Sequence, residues 1–176
     1  MGDNIKKLTF TGLFTALAII IPTIFKPFQI VIGPFSMTPA SHLPVFLAML
    51  ISPGAAIAVG GGSTIGFLLS GTPIHIVARA AMHMIVGGVG AYLIQKGISF
   101  KKMVVITAPI HAVTEAIAVA ILPGFDIKFI ILTVAIGTLV HHCMDGVISG
   151  ALIKALSKAM RKDLSKGIFL CDKKVA

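Results

Sequence analysis

Apolar residues run through this chain in long blocks, and polar residues mostly mark where the blocks stop. The blocks cover 8–25, 42–52, 54–70, 73–94, 103–122 and 127 to about 156. Between them stand "KPFQIVIGPFSMTPAS", "SPG", "SGTP", "QKGISFKK" and "LPGFD", each with the proline, glycine or charge that ends a helix. Most blocks approach the roughly twenty residues that a helix needs to cross a bilayer core. The second, of eleven residues, falls short.

Composition agrees with this pattern. Hydrophobic residues make up 56%, charged residues 12%, and the mean hydropathy is +1.01, against roughly 25% charged in soluble domains. The expectation is an all-α integral membrane protein. Its net charge of +9 is gathered in short clusters at block ends, which is how orientation in a bilayer is marked, so nucleic acid is set aside as a partner. If 42–70 formed one broken span, five crossings would separate one basic cluster from Lys6 and Lys7. Six crossings bring Lys6, Lys7, Lys96, Lys101, Lys102 and the tail from Lys154 to Lys174 together, with Lys26 and Lys128 opposite. The reading is thus one membrane domain over 1–176 with six transmembrane helices and both termini cytoplasmic. The second helix is short or tilted, 26–41 is an extracellular loop, and 157–176 is a basic cytoplasmic tail. Cys143 and Cys171 have no metal or disulfide spacing and read as free thiols. The first block shows no cleavage site and reads as a retained helix.

Within this apolar frame the stretch "TPIHIVARAAMHMIV" is unusual, because His75, Arg79 and His83 recur every four residues and share one helix face. Counting inward from the outer face at about 1.5 Å per residue, Arg79 lies roughly 9 Å deep, His83 15 Å, Glu115 12 Å, His111 18 Å and His141 21 Å. These groups can meet in one cavity. An arginine in hydrocarbon costs roughly 2.5–3.5 kcal/mol on insertion scales and persists where it meets a cavity or a partner. Arg79 can therefore be a substrate's counter-ion, a structural partner of Glu115, or both. The histidines either line a site or bond across helices, and His75 is close enough to the surface to be interfacial. His142 points about 100° from His141, so one of the two faces a given cavity. Asp145, one turn beyond His141, reads as a hydrogen-bonded structural carboxylate.

Imidazoles with Glu115 and Asp145 are suitable metal ligands, but Arg79 in the same cavity opposes a divalent ion, and no close multi-histidine motif occurs. No metal site is expected. Enzyme motifs are incomplete: "GGGSTIG" lacks the lysine of a phosphate loop, and no G-x-S-x-G elbow is present. Gly60, Gly61, Gly62, Gly66, Gly87, Gly88 and Ala91 are instead explained by close helix packing.

A basic N-terminus, a first helix with "GLFTAL", and a lid-like loop ending "ASHLPVFLAMLISPGAAIAVGGGSTIGFLLSG" come together in a six-helix chain of this length. In combination they resemble the substrate-binding S component of an energy-coupling factor (ECF) vitamin transporter, over nearly the whole chain. The resemblance implies a prokaryotic membrane subunit that captures a vitamin from outside, has no ATPase and no cofactor of its own, and works with a transmembrane coupling protein and two ATPases that use ATP. It places Gly12 and Ala16 on the small-residue face used against the coupling protein, with glycine in place of the usual first alanine.

The segment from Ser41 to His83 is most similar to the niacin-specific branch. Nicotinate offers a carboxylate for an arginine fork and a pyridine nitrogen for an imidazole. Pantothenate also carries a carboxylate. Flavin- or thiamine-type stacking is disfavoured by a chain with no tryptophan and only Tyr92. The expected substrate site is Arg79, His83, Glu115, His111, His141 and His75, gated by 26–41. The competing class is a stand-alone nickel, cobalt or proton-coupled carrier.

Overall fold

The computed structural model describes residues 2–168. Its helices are α1 (Asp3–Ile24), α2 (Leu43–Met49), α3 (Pro53–Leu69), α4 (Ile74–Gln95), α5 (Phe100–Ala120) and α6 (Ile127–Met160). The last is a continuous run of 34 residues interrupted by a π turn over Ile131–Ala135. Four of the six are long and apolar enough to cross a membrane, and α3 is a shorter apolar helix. The helices follow the apolar blocks, with α6 continuing past 156 to Met160.

Local signals explain the ends. Asp126 caps α6 by accepting from the amides of Lys128 and Phe129 at 2.9 and 3.3 Å, and Ser52 caps α3 by accepting from the Ala55 amide at 3.1 Å, with Pro53 in the first turn. Glycines 71 and 97 take left-handed conformations just past α3 and α4, where a side chain would be strained.

Six helices follow one another along the described residues. The second pass is different in kind: α2 has only seven residues, about 10 Å of helix, and every residue from Pro44 to Met49 is buried. It sits at the centre of the molecule, against α1, α3, α4 and α6. Its far end is closed by the chain after α6, where the Ile168 amide donates to the Leu50 carbonyl at 2.7 Å. The pass begins in the segment read from sequence as a loop, which instead contains a hairpin. β1 (Ile30–Ile32) pairs antiparallel with β2 (Phe35–Met37), in the register Ile30↔Met37 and Ile32↔Phe35. Gly33, at φ 55°, supplies the positive φ that a two-residue hairpin turn needs.

Basic residues collect at the end that holds both described termini, while Lys26 and Lys128 lie at the hairpin end. Large apolar side chains face outward, Leu8 at 74%, Leu69 at 82% and Val147 at 74% exposure, as a surface in contact with lipid does. Cys143 is an exposed free thiol. Cys171 and the tail lysines Lys173 and Lys174 lie outside the described residues.

Inside, one apolar core built on Phe46, Met49, Val59 and Met103 fills the terminal end. A smaller one, of Phe35, Val119, Ile130 and Val134, sits beneath the hairpin. Glycines bring α3 and α4 together: a Cβ on Gly60 would lie 2.8 Å from the Met84 amide nitrogen and 2.9 Å from the His83 carbonyl carbon. Backbone atoms cannot swing aside as a side-chain tip can. Gly60→Ala should therefore lower the thermal unfolding temperature in detergent, at a cost of about 1–3 kcal/mol, whereas Gly12→Ala, with nothing near its Cβ position, should leave it unchanged.

Candidate functional site

The two apolar cores are separated by a layer of buried polar side chains, organised around two carboxylates. Glu115 on α5 is 2% exposed and Asp145 on α6 is fully buried. One oxygen of Glu115 takes both Nε and Nη2 of Arg79 at 2.9 Å and the hydroxyl of Thr138. Its other oxygen stands 3.2 Å from His111 Nε2 and 3.8 Å from His83 Nε2. The rest of the Arg79 guanidinium reaches the hairpin: Nη1 donates to the Pro34 carbonyl and the Ser36 hydroxyl, and Nη2 to the Ser36 carbonyl, at 3.1–3.4 Å. The Phe35 ring lies against the same group, 5.0 Å from ring centroid to guanidinium carbon.

Asp145 organises the broken pass. Its two oxygens accept from the backbone amides of Ala40 at 2.7 Å and His42 at 2.9 Å. Ala40 adopts a left-handed φ of 64°, a conformation that costs a residue with a Cβ about 1–2 kcal/mol and turns both amides toward one anion. His141 Nε2 is 3.1 Å from the same carboxylate and contacts the Thr38 carbonyl at 3.1 Å and the Ser41 hydroxyl at 3.3 Å. His42 Nδ1 stands 3.1 Å from Asp145, and its Nε2 is 3.1 Å from His83 Nε2. A third strand of the network joins His111 Nδ1 to His142 Nδ1 at 2.9 Å and His142 Nε2 to Thr107 at 3.0 Å.

A cavity of about 60 Å³ opens beside this layer. Arg79, His83, Glu115, His42 and His141 form its polar wall, with Ser36, Thr38, Ser41 and Ser63. Ala18, Pro22, Val45, Phe67, Ile76 and Ala80 supply the apolar part of its lining. The pocket thus combines charged and apolar lining side chains, suited to a small molecule that carries both an apolar ring and a charge.

The sequence-derived residues divide clearly. Arg79, His83, Glu115 and His141 line the cavity, and His111 lies just behind Glu115. Of the histidine pair, His141 lines the cavity while His142 turns to Thr107. His75 stands apart, with its ring edge-on to Phe125 at 5.5 Å. Gly12 and Ala16 are exposed on the outer face of α1.

Sequence reading missed His42, together with Thr38, Ser36 and Ser41. The second block has too few residues for a helical face to be defined, so no periodicity singled them out. The signal available was a histidine directly before "LP" in a block too short to span.

Among known proteins, this chain is similar to the niacin transporter NiaX of Lactococcus lactis subsp. cremoris, strain MG1363. The two are 35% identical over 177 aligned positions, which cover 92% of this chain and 79% of the relative. No family profile matches the chain, and no solved structure matches it.

Removing the carboxylate that holds the broken pass leaves the buried His42 amide and the half-buried Ala40 amide without an acceptor, at about 1–3 kcal/mol for the buried one. Asp145→Ala should therefore lower the unfolding temperature sharply and speed hydrogen exchange at residues 40–42. Asp145→Asn, which keeps one acceptor oxygen, should fall between it and the parent protein. Thermal melts and exchange mass spectrometry in detergent check both.

Proposed function

Because this chain belongs to the ECF S-component family, in the branch of the niacin transporter NiaX, we propose that it captures nicotinate in the central cavity and hands it on for uptake. The observation that carries this reading is the pocket's mixed lining, in which a buried arginine stands among apolar side chains. A ring that packs on Phe67 and Val45 with its carboxylate toward Arg79 uses both. The volume of about 60 Å³ corresponds to roughly four to six water-sized bodies, a scale that suits a single-ring vitamin and not a flavin.

In this reading the hairpin is the gate and Arg79 is both latch and counter-ion. With the hairpin in place, Nη1 and Nη2 donate to Pro34 and Ser36. When the hairpin lifts, those donors present a planar fork that matches a carboxylate in two-point geometry. Glu115 stays bound to the inner edge of the guanidinium and fixes its orientation. The imidazole of His141 meets the ring nitrogen, while His83 and His111 stand beside Glu115.

Delivery requires partners. The exposed Gly12 and Ala16 on α1 form a small-residue face that a transmembrane coupling protein can approach closely. Two ATPase subunits bound to that protein supply the ATP hydrolysis, and the chain itself has no enzymatic role.

Calorimetric titration of the tag-free protein in detergent tests the substrate. Nicotinate should bind, and nicotinamide, which has the same ring without the charge, should bind at least about 30-fold more weakly, since losing a buried charge partner costs about 2–5 kcal/mol. Arg79→Gln should weaken nicotinate by a similar factor, with a thermal melt alongside to confirm that the variant is folded. Equal affinity for nicotinate in the variant, or a preference for nicotinamide, overturns the reading.

A further inference from the structure

Four side chains from three elements converge beside the cavity: His42 just ahead of α2, His83 on α4, and His111 and Glu115 on α5. More exactly stated by atoms, one ligand atom from each of the four lies within 4.8 Å of those of the other three. We propose that these residues bind a divalent transition-metal ion, of the zinc, cobalt or nickel type. This departs from the sequence reading, in which no metal site was expected.

Three observations carry the proposal. The first is spacing. Metal–nitrogen and metal–oxygen bonds of about 2.0–2.1 Å in a tetrahedral site put neighbouring ligand atoms about 3.3–3.4 Å apart. Here His42 Nε2 and His83 Nε2 are 3.1 Å apart, His111 Nε2 and Glu115 Oε1 are 3.2 Å apart, and His83 Nε2 and Glu115 Oε1 are 3.8 Å apart.

The second is the state of the nitrogens. Thr107 donates its hydroxyl hydrogen to the Met103 carbonyl at 2.9 Å, so it accepts from His142 Nε2. His142 Nδ1 then accepts from His111 Nδ1 at 2.9 Å, which leaves a lone pair on His111 Nε2. That atom is buried without a hydrogen-bond partner, because Glu115 lies off its line. His42 Nδ1 is likewise buried without a hydrogen-bond partner, 3.1 Å from the Asp145 carboxylate; there the negative charge alone favours the hydrogen at Nδ1, and the lone pair at Nε2 then faces His83. A second carboxylate or imidazole behind each ligating histidine is the usual support of a metal site. A separate void of about 10 Å³ touches His42, His83 and His111, but Val45, Phe46, Met49, Val86 and His142 form its other walls and Glu115 is not among them.

The third is charge. The charged side chains buried in the described residues are Arg79, Glu115 and Asp145, so with neutral imidazoles the layer sums to −1. That field repels a carboxylate. A divalent ion changes the sum to +1, which a singly charged anion neutralises. Arg79 does not block the ion, because it is held on the opposite oxygen of Glu115. This charge step rests on the proposed vitamin reading; the ligand geometry does not.

The test begins with tag-free full-length protein in detergent, stripped with chelator and titrated with Zn²⁺ or Co²⁺ in the absence of any vitamin. One equivalent should bind, and Co²⁺ should give the visible absorption of a tetrahedral site. His83→Asn and Glu115→Gln should each lower metal affinity at least about 100-fold while keeping a cooperative melt, and Cys143→Ser should leave it unchanged, which excludes the exposed thiol. Asp145→Asn, acting through His42, should lower it about 10- to 100-fold. Absence of stoichiometric metal, or equal binding by His83→Asn and Glu115→Gln, overturns the proposal. Nicotinate titrations with and without metal separate the two readings. Metal bound without nicotinate removes the vitamin reading and leaves the metal site, whereas full nicotinate affinity in metal-free protein that takes up no Zn²⁺ or Co²⁺ does the reverse.

Discussion

The Asp145 carboxylate on the amides of Ala40 and His42 is the interaction on which the architecture rests. In a bilayer, backbone that is not helical must find its hydrogen bonds inside the protein. The second pass breaks that rule over the residues between β2 and α2, and Asp145 supplies the acceptors that the missing helical turn would have provided. With the backbone held there, α2 can be seven residues long and buried at the centre, and His42 is delivered into the polar layer instead of onto a lipid-facing surface.

Arg79 extends the same logic toward the hairpin. A buried ion pair gains little net stability, because desolvation offsets most of its attraction. The Arg79–Glu115 pair is better understood as a device of geometry. One edge of the guanidinium is fixed by Glu115, and the other reaches two carbonyls and a hydroxyl of a hairpin whose strands have three residues each. Phe35 adds an apolar anchor, since it fills the space where a Cβ on Gly137 would stand. A hairpin of this size is marginal by itself. Its position therefore depends on one charged side chain that also faces the cavity, so whatever engages Arg79 inside the pocket is felt at the hairpin.

Much of this was legible in the chain. Apolar blocks located the helices, including a short one in the block too short to span. A fourfold spacing on α4 and the depth of Glu115, His111 and His141 brought five of six proposed side chains to one layer. His75 failed the test because depth from the surface, not helix face, decides whether a group near a helix end reaches the centre. The hairpin and His42 were not legible for a different reason. Their positions follow from contacts with Arg79 and Asp145, over a hundred residues away in the second case, and no local periodicity encodes such pairings.

Packing and chemistry are coupled most tightly at the α3–α4 contact. Gly60 lies against the backbone of His83 and Met84, and Gly87 against the Ala56 carbonyl, so the two helices touch through main chain and leave no compressible layer between them. The depth of His83 is then set by α3 and not by its own side-chain preferences. The same contact places Ser63, one turn beyond Gly60, on the cavity wall with His83 opposite His42. Small residues that a hydropathy profile treats as neutral thus set how closely the backbone of His83 approaches α3. A bundle closed by larger side chains would tolerate drift at that contact, and the polar layer, whose members each depend on a neighbour for hydrogen bonding, would not survive it.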